Sequence, residues 1–118
     1  MNYNAVILAD SFKRSVKKLE KRFPSVRQDV KIAIKVLSEN PKLGVLIPGG
    51  CGVRKLRIRN SDIQRGKSGS YRLLYYENQG KGSLCLLLLY AKTDRENVAL
   101  REIQDLMAEM SADSSDKM

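Results

Sequence analysis

Cationic side chains are concentrated in the middle of the chain, between residues 54 and 72. Asp62 is the one acidic residue in this stretch, which contains seven of the 22 lysines and arginines, namely Arg54, Lys55, Arg57, Arg59, Arg65, Lys67 and Arg72. If residues 53–59 form a strand, alternate residues point to one face, so Lys55, Arg57 and Arg59 form a row with a spacing of about 7 Å. Leu56 and Ile58 then point to the core. This spacing matches a phosphodiester backbone and predicts a nucleic-acid-binding face.

Four tyrosines accompany these cations and could stack on single-stranded bases. They are Tyr71, Tyr75, Tyr76 and Tyr90. A solvated face of a basic protein, with its tyrosines half in the core, would give the same pattern. Charge alone therefore leaves both interpretations open.

The amino-acid composition limits the kinds of catalytic and metal site that this chain can form. The chain has a net charge of +9 and no histidine, which excludes Ser-His-Asp and Cys-His nucleophile systems and most zinc sites within this chain. Acid or base catalysis must use lysine, arginine, tyrosine or carboxylates, and we expect neither a metal nor another cofactor. Cys51 and Cys85 form no CxxC pair and are expected to be reduced thiols, with the role of Cys51 open.

No membrane segment is expected, because the longest apolar run, Leu84 to Ala91, has eight residues and the first residues lack the apolar stretch of a signal peptide. We therefore expect a cytoplasmic protein.

The pattern of apolar residues predicts the elements that must position these side chains. A strand at 4–8 precedes a helix that starts at Asp10-Ser11 and ends before Pro24, and a Ser25/Gln28 capping box opens a second helix up to Asn40. Strands follow at 53–59, 71–77 and 84–91, and a Thr93/Glu96 capping box opens a last helix. We predict a small α+β domain over residues 1–110, with two N-terminal helices packed on a mostly antiparallel four-stranded sheet and a C-terminal helix. A disordered tail is expected over 111–118.

Three linked motifs carry a family resemblance. The segments are Asn40-Pro41-Lys42-Leu43-Gly44, then Gly52-Val53-Arg54-Lys55-Leu56-Arg57-Ile58, and then Gly66-Lys67-Ser68-Gly69-Ser70-Tyr71-Arg72-Leu73-Leu74-Tyr75-Tyr76. Together with the order of elements from Phe12 to Leu106, they resemble the RelE/ParE superfamily of bacterial toxins, most closely its HigB-like branch. The resemblance implies a RelE-like fold and a toxin of a type II toxin-antitoxin system, neutralised by a cognate antitoxin protein. RelE and HigB members cut mRNA on the ribosome without a metal.

The basic residues of this chain suit RNA cleavage without a metal. Cleaving RNA without a metal requires removal of the 2'-hydroxyl proton, stabilisation of a dianionic transition state and protonation of the 5'-oxygen. By position, Lys55, Arg57 and Arg72 look like the basic strand residues with which the family binds the phosphate and promotes attack, and Arg59 like a backbone contact. Clusters of cations favour the neutral amine of a lysine, which makes Lys55 a candidate general base.

The general acid is not located by the resemblance. RelE proper carries an arginine and a tyrosine where this chain places Thr93 and Ala99. The candidates that could replace them as proton donor are Lys92, Arg95 and Tyr90. Helix capping, surface charge or core packing would equally explain why these three residues are present. Two other functions stay open: a ParE-like inhibitor of DNA gyrase, and a non-catalytic nucleic-acid-binding relic of the fold.

Overall fold

The computed structural model describes residues 5–63 and 69–116, with side chains up to Met110. Its elements, in chain order, are β1 Ala5–Leu8, α1 Asp10–Glu20, α2 Val26–Glu39, β2 Val45–Leu46, β3 Arg54–Ile58, β4 Tyr71–Asn78, β5 Ser83–Ala91 and α3 Leu100–Asp116.

The strands form one sheet in the order β1-β5-β4-β3-β2. β1 runs parallel to β5, and the other three pairings are antiparallel. The mostly antiparallel sheet is therefore confirmed, but the count of four strands is wrong. The additional strand, β2, has two residues that pair with Arg54 and Lys55 of β3. A segment this short has no alternation for a sequence pattern to reveal.

α1 packs against β5 through the apolar stripe that the sequence predicted, and Phe12, Val16 and Leu19 are buried. β1 pairs with β5 only as far as Leu86, so the next backbone groups of β5 need other partners. Two serines of α1 supply them. Ser11 Oγ donates to the Leu87 carbonyl at 2.7 Å, and the Leu89 amide donates to Ser15 Oγ at 3.0 Å.

α2 buries the predicted stripe of Val26, Val30, Ala33 and Leu37, but its predicted capping box is wrong. The Ser25 side chain makes no cap hydrogen bond. The loop after β3 contacts this end of α2 instead: Asp62 Oδ2 accepts a hydrogen bond from the Ser25 amide at 2.9 Å. The buried Asp29 carboxylate accepts from both the amide and the hydroxyl of Ser61 at 3.0 Å.

α3 starts later than predicted, at Leu100, so the Thr93/Glu96 capping box is wrong too. The chain after β5 turns instead, with the Asp94 amide donating to the Ala91 carbonyl, and then runs without helix to residue 99. Ile103, Leu106 and Met110 of α3 are buried in the common core. The helix continues to Asp116, through most of the segment assigned to a tail, and the domain limit at residue 110 stays a prediction.

In the part of the chain that the structure describes, no helix has the length and apolar character needed to cross a bilayer.

The described tyrosines pack into this core, and their burial predicts how stability depends on pH. Burial raises the pKa of Tyr71, Tyr75 and Tyr90, and raises the pKa of Tyr76 to about 12. Unfolded tyrosines ionise near a pKa of about 10, while the folded ones retain their protons to higher pH. The folded state then binds more protons than the unfolded state, so the free energy of unfolding falls as the pH rises above about 10.

We expect the phenolate absorbance of these four tyrosines to appear together with loss of the helical circular-dichroism signal in an alkaline titration. Tyr3 lies outside the described residues, so ionisation of more than one tyrosine at the ordinary pKa while the helical signal is intact would contradict this prediction.

Candidate nucleic-acid interface

Three predicted site residues lie in one row across the sheet. Arg57 of β3 is directly opposite Arg72 of β4, and Arg72 is directly opposite Tyr90 of β5. Directly paired residues point to the same face, and neighbouring strands are about 4.8 Å apart. Lys55 lies two residues before Arg57 on β3 and shares its face. We call Lys55, Arg57 and Arg72 the basic patch.

Two of the three cations of the basic patch contact neutral groups. Arg72 Nη1 donates to Ser70 Oγ at 2.6 Å and to the Tyr71 carbonyl at 3.3 Å. Lys55 Nζ lies 3.4 Å from Asn97 Oδ1. Among the side chains described in residues 5–63 and 69–110, no carboxylate forms a salt bridge with any of the three. The positive charge of the patch is therefore available to an anionic ligand.

Tyr90 lies beside the patch but is shielded from solvent. Its ring is covered by Arg95, whose Cζ is 5.2 Å from the ring centroid, and its hydroxyl is buried without a hydrogen-bond partner in the described residues. Burial raises the pKa of Tyr90, against the opposing charges of Arg95 and Arg72 and with a contribution from Glu102. The hydroxyl thus retains its proton at neutral pH.

The remaining candidates near this face differ in their partners. Arg95 Nη2 pairs with Glu102 Oε2 at 2.8 Å, so part of its charge is already neutralised. Lys92 is half-buried at the end of β5, where its amide donates to the Ser70 carbonyl at 3.0 Å. Within the described residues no carboxylate is paired with the Lys92 ammonium.

Among the other predicted contacts, the structure describes the positions of Arg54 and Arg59. Arg54 points to the opposite face, where its Nη1 donates to the carbonyls of Gly44 at 2.8 Å and Lys42 at 3.3 Å. Arg59 follows the end of β3 and lines a cavity against α2 together with Arg57 of the patch. Arg65 and Lys67 lie outside the described residues.

Sequence reasoning missed three residues that set the geometry of this face. Ser70 is two residues before Arg72, and strand alternation would have placed it on the same face. Asn97 and Glu102 gave no such signal, because the mistaken helix start at Thr93 put both in the wrong register. Their contacts depend on how the irregular segment before α3 crosses the sheet.

No three histidine, cysteine, aspartate or glutamate residues come together at metal-binding distance within the described ranges.

Solved structures of bacterial toxin-antitoxin proteins have a similar fold. The fold is similar to that of a variant of the toxin RelE from E. coli in its free state, with a TM-score of 0.57 and 21% sequence identity over 81% of this chain and 90% of that chain. It is also similar to the RelBE2 toxin-antitoxin complex of Mycobacterium tuberculosis, with a TM-score of 0.55 and 22% identity over 77% of this chain and 92% of that chain. The sequence matches no protein-family model. At these identities the likeness establishes the fold, and the chain has a RelE-like fold.

Proposed function

We propose that this protein is the toxin of a type II toxin-antitoxin system and acts as a ribosome-dependent mRNA interferase. The observation that carries the proposal is the basic patch: Lys55, Arg57 and Arg72 share one face of a RelE-like sheet, with no described carboxylate paired to them. The two similar structures are a toxin and a toxin-antitoxin complex, which favours the same role. Assignment to the HigB-like branch rests on the sequence motifs.

In the proposed mechanism, Arg57 and Arg72 bind the scissile phosphate. Guanidinium groups stay charged at any physiological pH and bind phosphate oxygens through paired hydrogen bonds, so they stabilise the charge that develops in the transition state. Lys55 accepts the proton of the 2'-hydroxyl, and the 2'-oxygen attacks phosphorus. The bond to the 5'-oxygen breaks, leaving a 2',3'-cyclic phosphate, and the 5'-oxygen takes up a proton.

Lys92 is the best placed of the three candidates to donate that last proton. The Tyr90 oxygen is buried, and Arg95 is paired with Glu102. Lys92 is half-buried, lies two residues after Tyr90 in the chain, and has no carboxylate partner among the described side chains. Arg54, Arg59, Arg65, Lys67 and Arg95 are proposed as outer contacts to RNA, supported only by their charge and position in the sequence.

The proposed partners follow from the same surface. The ribosome presents mRNA to the patch, so the action is cytoplasmic and inhibits translation. An antitoxin with an acidic or amphipathic segment would cover the +9 surface and block RNA by charge and by shape. The likeness to a solved toxin-antitoxin complex supports a protein partner of this kind.

The direct test is primer extension on a defined mRNA in a translating extract. We expect cuts in the message that require both the protein and ribosomes, and no cuts in the same RNA without ribosomes. An intact message would contradict the interferase activity.

Salt dependence would then separate the other two functions. RNA binding through phosphates weakens steeply as salt rises, as expected of a non-catalytic relic, whereas inhibition of DNA gyrase by protein contact need not.

A further inference from the structure

Arg95 covers the ring of Tyr90, which is the last member of the row across the sheet. Its Cζ is 5.2 Å from the ring centroid, and Tyr90 in turn is directly opposite Arg72. An RNA strand with one phosphate on Arg72 would therefore pass close to Arg95. In the proposed function Arg95 is only an outer contact, and Glu102, which pairs with it, has no role.

The contact between Arg95 and Glu102 uses only part of the guanidinium group. Nη2 donates to Glu102 Oε2 at 2.8 Å, whereas Nε is buried and has no hydrogen-bond partner in the described residues. The Tyr90 hydroxyl, whose ring Arg95 covers, is also buried without a partner in that part of the chain. Buried polar groups without partners are uncommon and indicate a missing ligand or water. Two unused donors thus lie beside one cation.

The ion pair between Arg95 and Glu102 is easily exchanged for another partner. Its two side chains are 38% and 41% exposed, and water screens charge pairs at this level of exposure, so such pairs contribute little to stability. A phosphate group can accept two parallel hydrogen bonds from one guanidinium, which is a stronger contact than the single bond described. An RNA phosphate can therefore displace the carboxylate from Arg95.

Glu102 lies close enough to act on the end of the row. The pKa of Tyr90 is raised chiefly by burial, and the charge of Glu102 raises it further, against the charges of Arg95 and Arg72. Glu102 is also in the first turn of α3, where the helix dipole favours an acidic residue. The dipole explains a carboxylate at this position but not its contact with Arg95. A negative charge here weakens the attraction of the row for phosphate.

We propose that Glu102 occupies the place of an RNA phosphate on Arg95 in the free protein, and that RNA binding exchanges the carboxylate for the phosphate. The inference rests on the proposed function and adds a residue that regulates its RNA-binding surface. Because the ion pair must break before Arg95 can bind a phosphate, Glu102 lowers the affinity for RNA.

Equilibrium binding of the full chain to a short oligouridine strand tests the exchange. The strand carries 2'-O-methyl groups, so that it cannot be cut, and a fluorophore for anisotropy. Glu102→Gln and Glu102→Ala are each expected to bind about threefold more tightly than wild type, the fold-change that corresponds to one half-exposed ion pair. Two substitutions are used so that misfolding of one does not end the test.

Arg95→Gln is expected to have the opposite effect. It should bind the strand more weakly than wild type, because one phosphate loses its cation. The slope of the logarithm of affinity against the logarithm of salt concentration should become shallower by about 0.7, the value for one phosphate contact in a single strand. Adding Glu102→Gln to Arg95→Gln should give no tightening, because the carboxylate then has no guanidinium to occupy.

Glu109→Gln is the matched control. Glu109 also lies in α3, pairs with an arginine at 2.9 Å and is 40% exposed, but its partner is Arg14 of α1. It lies about 10 Å further along the helix than Glu102. Charges this far apart are largely screened at physiological salt, so the affinity of Glu109→Gln should stay close to that of wild type.

The outcomes separate this inference from the proposed function. Equal tightening in Glu102→Gln and Glu109→Gln, or tightening that persists without Arg95, means that only net charge matters and overturns the exchange even if the protein cuts mRNA. Unchanged or weaker binding in both Glu102 variants also overturns it and indicates that Glu102 only stabilises the start of α3. Absence of measurable binding in wild type and all variants overturns it as well. Tightening that is specific to Glu102 and requires Arg95, in a protein that cuts no mRNA, supports the exchange and contradicts the interferase.

Discussion

Replacing Arg72 with alanine is expected to slow cleavage of ribosome-bound mRNA by about 10²- to 10³-fold, the usual cost of removing one preorganised donor to a transition-state anion. Arg72 is the middle member of the row Arg57-Arg72-Tyr90, and its guanidinium is oriented by Ser70 Oγ. Single-turnover cleavage with saturating ribosomes measures the chemical step. The loss should therefore appear in the rate and not in ribosome binding.

Two further variants make this result specific. Arg72→Lys retains the charge but loses the planar pair of donors, so we expect a rate between those of wild type and Arg72→Ala. Lys13→Ala removes one charge from an exposed position of α1 and should cleave as wild type does. Equal losses in Arg72→Ala and Lys13→Ala would mean that only net charge matters and would contradict the role of the basic patch.

The second large effect concerns stability and comes from Tyr75. This residue is fully buried, and its hydroxyl accepts a hydrogen bond from the Gly44 amide and donates one to the Pro41 carbonyl, both at 2.8 Å. Tyr75→Phe leaves these two backbone groups without their partner. We expect the free energy of unfolding in urea to fall by about 1–3 kcal/mol, the cost of leaving buried polar groups unsatisfied.

The same substitution at Tyr71 is the matched control. Tyr71 is also fully buried, but its hydroxyl has no hydrogen-bond partner in the described residues. Tyr71→Phe therefore removes a buried polar atom that gains nothing from folding, and the free energy of unfolding should stay the same or rise. A similar loss in both variants would show that ring packing, and not the bond to the turn before β2, determines the effect.

The position of Gly44 strengthens this interpretation. A side chain at this residue would place its Cβ 2.8 Å from the Tyr75 ring and hydroxyl. Close approach of the backbone to Tyr75 is what allows the two hydrogen bonds, so the turn and the tyrosine depend on each other.

Much of the fold could be predicted because its elements have strong periodicity. The apolar stripes of α1 and α2 and the alternation in β3 appear in the sequence, and alternation correctly placed Lys55 and Arg57 on one face and Leu56 and Ile58 on the other. Local periodicity could not find β2, because a strand of two residues exists only through its pairing with β3. It also could not find the start of α3, where Asp94 pairs with Arg22 of the turn after α1 instead of capping a helix.

The candidate site could be predicted only in part, because strand alternation shows which side chains share a face but not what they contact. Cations on one strand share a face by geometry, but which cations remain unpaired depends on contacts between distant segments. Arg95 is paired with Glu102, and Arg54 is bound to carbonyls of the turn at 42–44. Such pairings are set by tertiary structure, and no sequence spacing indicates them.

The parallel pairing of β1 with β5 limits when the strands of the sheet can pair during synthesis. Ala5 pairs with Ser83 and Leu8 with Leu86, so β1 cannot join the sheet in this register until β5 has been synthesised. Contacts between residues so far apart in sequence form late in folding, because a long loop must close first. The row from Arg57 through Arg72 to Tyr90 also needs β5. A nascent chain therefore completes the row from Arg57 to Tyr90 only after β5 has been synthesised.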